Sequence, residues 1–334
     1  MVDPPSGAAP LRYRDEVFDN VTMISDLQYG SAPGLDGEPE ALMLDLYEPT
    51  GDDMAERPVV MWVHGGGYSG GDKRFGPSAE LAEKFARLGY VTVSINYRLL
   101  VPNGCNGNGT VPMECLTAAV AAIHDGQAAV RWLRANAETY RIDPERIGIG
   151  GESAGAITAV GVGIIADQPG ESGNPGYPSN VNGWLSISGG VPEGIFVSAD
   201  DAPGFLFSGT ADSIVPSAWS VQTADAMQSS DVPVFLRTLE GAGHVPWDQY
   251  RDLITTQADY FFYKFLDVDH SAQDSEPIPT ATTTSTAVAA LPSTGSRAQG
   301  RGDALAVMSL LLAAAGGLSL AALIARTRRV GSGR

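Results

Sequence analysis

Ile147-Gly148-Ile149-Gly150-Gly151-Glu152-Ser153-Ala154-Gly155-Ala156-Ile157 carries the architecture of the chain in eleven residues. A short apolar strand, Ile147 to Ile149, runs into glycines, and an apolar helical pattern, Ala154 to Ile165, leaves them. Ser153 sits on the turn between the two, in a G-x-S-x-G frame. A serine on a sharp strand-to-helix turn has a strained backbone, and glycines two residues to either side relieve the crowding around it. Such a frame is weak alone, and the chain carries a decoy, Gly67-Tyr68-Ser69-Gly70-Gly71. No strand leads directly into Ser69, and Gly76 and Pro77 delay the next helix, so Ser69 is set aside.

On both sides of this stretch, short apolar strands alternate with helical periods. Strands are expected at Leu42–Tyr47, Val59–Val63, Tyr90–Ile95, Trp184–Ile187, Phe205–Ser208 and Val234–Leu239. Helices are expected at Ala79–Leu88, Thr117–Glu138, Ser217–Met227 and Trp247–Leu266. That alternation describes an α/β domain with a mostly parallel sheet covered by helices on both faces. The folded body is placed at residues 17–268, after a flexible N-terminus of residues 1–16. Met1 to Pro10 is rich in Pro, Gly and Ala, and no signal peptide is legible in it; a start site set too far downstream would account for that.

In a parallel sheet the loops after successive strands open on one edge. His64-Gly65-Gly66-Gly67 follows one strand, Gly209-Thr210-Ala211-Asp212 another, and Gly241-Ala242-Gly243-His244 a third. Ser153, Asp212 and His244 therefore converge although they are far apart in sequence, and serine, acid, histidine is the order such a sheet uses. The triple glycine lets backbone N–H groups approach a ligand, which is what an oxyanion needs. The other histidines compete poorly: His64 belongs to the glycine loop and is expected to make a structural hydrogen bond, His124 lies within a helix beside Asp125, and His270 lies beyond the body. Asp200 and Asp201 precede their strand and Asp225 falls in a helix. Glu152 is expected to hold the turn through an ion pair.

With Asn96-Tyr97-Arg98-Leu99 added to these pieces, the chain resembles the carboxylesterase and hormone-sensitive-lipase-like branch of the α/β-hydrolases from about Leu42 to Leu266. The resemblance implies an α/β-hydrolase fold, a Ser-His-Asp triad acting on carboxylic esters through an acyl-enzyme, and oxyanion donors at the backbone N–H groups of Gly66, Gly67 and Ala154. It implies no cofactor and no metal. Two departures stand out. The loop Val101 to Cys115 is longer than is common there, and no large helical insertion between Ser153 and Asp212 would build a lid, which suits small or exposed acyl esters. A serine peptidase of the same fold and an inactive binding module are the alternative readings.

The chain has 334 residues and a formal charge of −18. An acidic body repels nucleic-acid phosphates, so a nucleic-acid partner is disfavoured. The two cysteines, Cys105 and Cys115, flank a Gly/Asn-rich loop; they read as a disulfide in an oxidising compartment and as buried thiols otherwise.

Past the body, residues 269–290 form a Thr/Ser/Pro-rich linker. Ala304 to Ala325 is an uncharged stretch of 22 residues, enough for a membrane helix of about 33 Å at about 1.5 Å per residue. Arg326, Arg328 and Arg329 follow and would stay cytoplasmic. Leu291-Pro292-Ser293-Thr294-Gly295, the apolar span and the terminal arginines resemble a cell-wall sorting signal of Gram-positive bacteria over residues 291–334. That resemblance implies cleavage between Thr294 and Gly295 by a sortase-type transpeptidase, attachment to peptidoglycan, and a body outside the cell; the alternative is an ordinary C-terminal membrane anchor.

Overall fold

The computed structural model describes residues 11–105, 111–165, 167, 170–192 and 196–268. The linker, the apolar span, Thr294 and Gly295, and His270 lie outside them. Among the described residues no helix is long and apolar enough to cross a membrane.

The sheet is built on β3 (Arg57–Val63), whose seven residues are all buried. Its side chains divide between two cores as the period of two requires. Val59, Met61 and Val63 join one apolar cluster, and Val60 and Trp62 join the other. In chain order the remaining elements are β1 (Val21–Pro33), β2 (Pro39–Pro49), α1 (Gly76–Leu88), β4 (Val91–Ile95), α2 (Met113–Ala135), α3 (Ala137–Tyr140) and β5 (Ile142–Glu152). After them come α4 (Ala154–Ile164), β6 (Gly183–Ile187), β7 (Gly204–Gly209), α5 (Ser217–Ser229), β8 (Val234–Leu239) and α6 (Trp247–Phe265).

The eight strands lie in the order β1-β2-β4-β3-β5-β6-β7-β8. β1 and β2 pair antiparallel, as do β2 and β4, and every later neighbour is parallel. Residues of α2, α4 and α5 (Ala122, Leu133, Val160, Met227) fill the first core. Residues of α1 and α6 (Leu81, Phe85, Ile254, Phe262) fill the second on the opposite face. The glycines of β5 serve that packing. A Cβ on Gly148 would lie 2.6 Å from the Phe262 ring, and one on Gly150 would lie 2.4 Å from the Trp62 ring.

The chain leaves β3 toward β4 on one side and returns through α2 to β5 on the other. The strand order thus reverses between β3 and β5, where Val63 pairs with Gly151. A crevice opens at such a switch point, beyond the carboxyl ends of the two strands. The glycine loop follows β3 and Ser153 follows β5, so the topology alone brings them side by side.

β1 is a strand that the sequence pattern did not announce, since the first one expected began at Leu42. It sits at the sheet edge with β2 as its neighbour and is mostly exposed. It therefore lacks the apolar alternation of a half-buried strand. β5 also begins earlier than Ile147, because Arg57 and Ile142 already pair across the sheet.

Candidate active site

Ser153 adopts φ 54° and ψ −119°, a conformation costly for a residue with a side chain and one that persists only where its surroundings enforce it. Its amide donates to the Ile187 carbonyl at 2.9 Å. The flanking glycines are steric requirements: a Cβ on Gly155 would lie 2.0 Å from the Val63 carbonyl oxygen, and one on Gly151 would lie 2.5 Å from the Gly155 carbonyl. The turn after β5 is pressed against the end of β3 so closely that only hydrogen fits between them.

The chain ends at β7 and β8 clamp one another in the same way. The Ala211 amide donates to the Ala242 carbonyl, the Thr210 amide to the Leu239 carbonyl, and the Gly241 amide to Thr210 Oγ1. Asp212 and His244 ride on these two loops. His244 Nδ1 lies 2.8 Å from Asp212 Oδ2, and His244 Nε2 lies 2.8 Å from Ser153 Oγ. Asp212 Oδ1 accepts the amides of Ile214 and Val215 at 2.8 and 2.9 Å. Burial pushes the Asp212 carboxyl up, but the hydrogen bond from His244 and those two amides outweigh it and hold the group below its ordinary value. A charged Asp212 accepts the Nδ1 proton, which leaves the Nε2 lone pair facing the serine hydroxyl.

The structure thus brings Ser153, Asp212 and His244 into one hydrogen-bonded line. Asp225 is in α5, and Asp200 and Asp201 precede β7. His124 lies in α2, where burial lowers its pKa. His64 is buried, contacts the Gly65 carbonyl through Nδ1 at 2.6 Å and stacks on Tyr97 at 4.5 Å between ring centroids. Burial lowers its pKa too, which suits a neutral ring that shapes the loop.

The glycine loop is anchored by its carbonyls. Tyr97 Oη donates to the Gly65 carbonyl, and the Ser69 and Gly70 amides with Ser69 Oγ converge on the Gly66 carbonyl. Each peptide is planar and trans, so a fixed carbonyl aims the N–H of the next residue the opposite way. These contacts therefore orient the N–H groups of Gly66 and Gly67. Gly66 has φ +119°, and a Cβ on it would meet the Gly70 carbonyl oxygen at 2.0 Å. Ala154 is the first residue of α4, where amides have no intrahelical acceptor.

Glu152 departs from expectation. Among the described residues it has no ion-pair partner. It is buried, accepts the Gly65 amide on Oε1 at 3.1 Å and contacts Ser78 Oγ through Oε2. Ser78 Oγ in turn donates to the Val63 carbonyl. Burial pushes the Glu152 carboxyl up to about 7. The unfolded chain ionises this group near 4.5 and the folded one near 7, so the folded state loses stability as pH rises through that window and gains none of it back above. Gln reproduces the neutral acid, accepting from Gly65 and donating to Ser78. Glu152→Gln should therefore match the parent in thermal stability at pH 4.5 and exceed it at pH 8. Equal melting temperatures at both pH values would contradict this account.

Ser188 was not singled out in the sequence. It lies just past β6, and its Oγ accepts the Val245 amide at 2.9 Å. Val245 follows His244 with φ 44°, so the loop that presents the imidazole is latched to the strand end that also receives the Ser153 amide. The pairing spans 57 positions, and no local motif marks it. Cys105 and Cys115 form a disulfide. Among the described residues no cluster of His, Cys, Asp and Glu could hold a metal ion.

The BD-FAE family model matches residues 44–174, a span that includes the glycine loop and Ser153. Lipase 1 of Geotrichum candidum is 32% identical over 122 residues, which cover 36% of this chain and 21% of that protein. Fumonisin B1 esterase of Sphingopyxis macrogoltabida is 31% identical over 145 residues, covering 39% of this chain and 23% of that protein. The chain therefore spans under a quarter of the length of these two relatives. Among solved structures, the native form of a thermophilic esterase from Thermogutta terrifontis superposes with a TM-score of 0.59 at 20% identity, covering 80% of this chain and 98% of that one. The fold is that of the α/β-hydrolases.

Proposed function

We propose that this chain hydrolyses carboxylic esters through Ser153, His244 and Asp212. The observation that carries the reading is the unbroken line from Asp212 Oδ2 through both imidazole nitrogens to Ser153 Oγ, on a strained turn beside a loop of oriented amides. The names of similar proteins, a lipase and esterases, point to the same bond.

In this reading His244 Nε2 takes the Ser153 proton as Oγ attacks the ester carbonyl. Asp212 holds the ring and stabilises its cationic form. The amides of Gly66, Gly67 and Ala154 receive the oxyanion, a role in which each donor is worth about 10²–10³ in rate. His244 then gives its proton to the departing alcohol. Water, deprotonated by the same nitrogen, resolves the acyl-enzyme.

The described segments between Ser153 and Asp212 hold α4, β6 and β7 and no further helix to lie across the site. Small or exposed acyl groups fit such a site best. On p-nitrophenyl esters of graded length, kcat/KM should be highest for acetate to butyrate and fall at least about tenfold by palmitate, since a long chain finds little apolar surface to bury. A fluorophosphonate probe should label Ser153 stoichiometrically. A preference for the longest chains would remove the small-ester reading, and an unlabelled, inactive chain would leave a binding module in its place.

A further inference from the structure

The glycine loop has a second support. The Gly67 carbonyl accepts the Cys105 amide at 3.1 Å, and the Tyr68 carbonyl accepts the Val101 amide at 3.1 Å. The Gly104 amide closes the segment between them by donating to the Val101 carbonyl. The approach is close: a Cβ on Gly67 would lie 3.3 Å from the Cys105 nitrogen. Cys105 is in turn bonded to Cys115, which is buried in the first turn of α2.

α2 is a rigid base. It lies so near α4 that a Cβ on Gly161 would fall 2.3 Å from Ile123, and one on Gly126 would fall 2.9 Å from Val162. α4 begins at Ala154, directly after the nucleophile. Tyr68, with φ 58°, reaches the same place, donating from Oη to the Ala154 carbonyl at 3.1 Å. The crosslink thus closes a circuit from the glycine loop through Cys105 and Cys115 into α2, on to α4, and back to the serine turn.

We propose that the Cys105–Cys115 disulfide positions the oxyanion donors, so that the oxidised chain turns over faster than the reduced one at equal substrate affinity. The inference rests on the ester-hydrolase reading of Ser153. The bond leaves the reacting atoms untouched and acts at one remove: the Tyr68–Ser69 peptide, whose carbonyl accepts Val101, sends its own N–H to the Gly66 carbonyl, and that carbonyl sets the direction of the Gly67 N–H. Freed from α2, the Val101–Cys105 segment holds the Gly67–Tyr68 and Tyr68–Ser69 peptides by one backbone hydrogen bond each. A misplacement of about 1 Å in a catalytic array can cost 10²-fold, and loss of one oxyanion donor about 10²–10³. Loosening without loss is expected to cost roughly tenfold in kcat.

The test uses the full chain, oxidised and then reduced with a water-soluble phosphine. The phosphine gives two electrons to the disulfide and leaves as its oxide, while water supplies the oxygen and the two protons of the thiols. Turnover of p-nitrophenyl acetate is expressed per site, counted by end-point fluorophosphonate labelling, so unfolded molecules do not enter. We expect kcat to fall roughly tenfold with KM within about twofold. Affinity for a trifluoromethyl ketone, which mimics the tetrahedral oxyanion, should fall in step, reoxidation should restore both, and the Cys105→Ser/Cys115→Ser chain should behave as the reduced parent.

Unchanged kcat and ketone affinity in the reduced chain, with two thiols titrated, overturn the proposal. So does a reduced chain that labels no sites even in the cold, because the bond would then be a requirement of folding. Ester turnover by Ser153→Ala would instead strike at the underlying reading of the site.

Discussion

Ser153→Ala should lower kcat for p-nitrophenyl acetate by about 10⁵–10⁶-fold, the scale on which losing the nucleophile of such a triad is felt, with the fold retained. The expectation follows from what surrounds the hydroxyl. Among the described residues, the hydrogen-bond partner of His244 Nε2 is Ser153 Oγ. The oriented amides of the glycine loop remain in the variant, so a residual rate above the uncatalysed reaction, about 10³–10⁴-fold, is expected to survive from oxyanion stabilisation and binding. The backbone strain is unaffected, since Ala and Ser incur a similar cost at φ 54°. Circular dichroism and thermal unfolding close to the parent, together with loss of fluorophosphonate labelling, would complete the result. Turnover within tenfold of the parent would place the nucleophile elsewhere.

What the sequence revealed and what it hid divide along a physical line. The stretch around Ser153 is legible because its constraints are local: a strand, a turn and a helix in immediate succession, with glycines where the turn meets β3. Asp212 and His244 are legible because a parallel sheet sends all its strand-end loops to one edge, so position after a strand substitutes for distance. β1 was missed because an exposed edge strand has no apolar face to display.

The partners of Glu152 were missed because they lie far off in the chain. Gly65 is 87 positions away and Ser78 is 74, and neither carries a charge that an acidic residue would advertise. The same holds for Ser188, whose hydroxyl secures Val245. An expectation of an ion pair is reasonable for a buried acid read by type, but here neutralisation by burial and hydrogen bonds to neutral partners take its place. The two cysteines stood between bridge and free thiols in the sequence, and it is the backbone contact between Cys105 and Gly67 that gives their bond a bearing on the chemistry.

Asp212→Asn should lower kcat by about 10⁴-fold while leaving KM within a few fold, and the size of the loss follows from the way the carboxylate is held. Oδ1 accepts two backbone amides, those of Ile214 and Val215. An asparagine in this place must keep its carbonyl oxygen toward them, because its NH₂ group can only donate and would face two donors. The NH₂ is thereby turned to His244 Nδ1, which sits 2.8 Å from the other oxygen in the parent. That nitrogen must then present its lone pair, and the ring proton moves to Nε2. Nε2 faces Ser153 Oγ, and a protonated Nε2 cannot take the serine proton. The variant is expected to keep the three side chains in place and hold the imidazole in the wrong tautomer. The downfield Nδ1–H resonance of His244 in the parent should disappear from the proton spectrum in step with activity. An Asp212→Asn chain that retained a tenth of the parent kcat would show that the carboxylate merely fills space, and that some other group sets the proton on the ring.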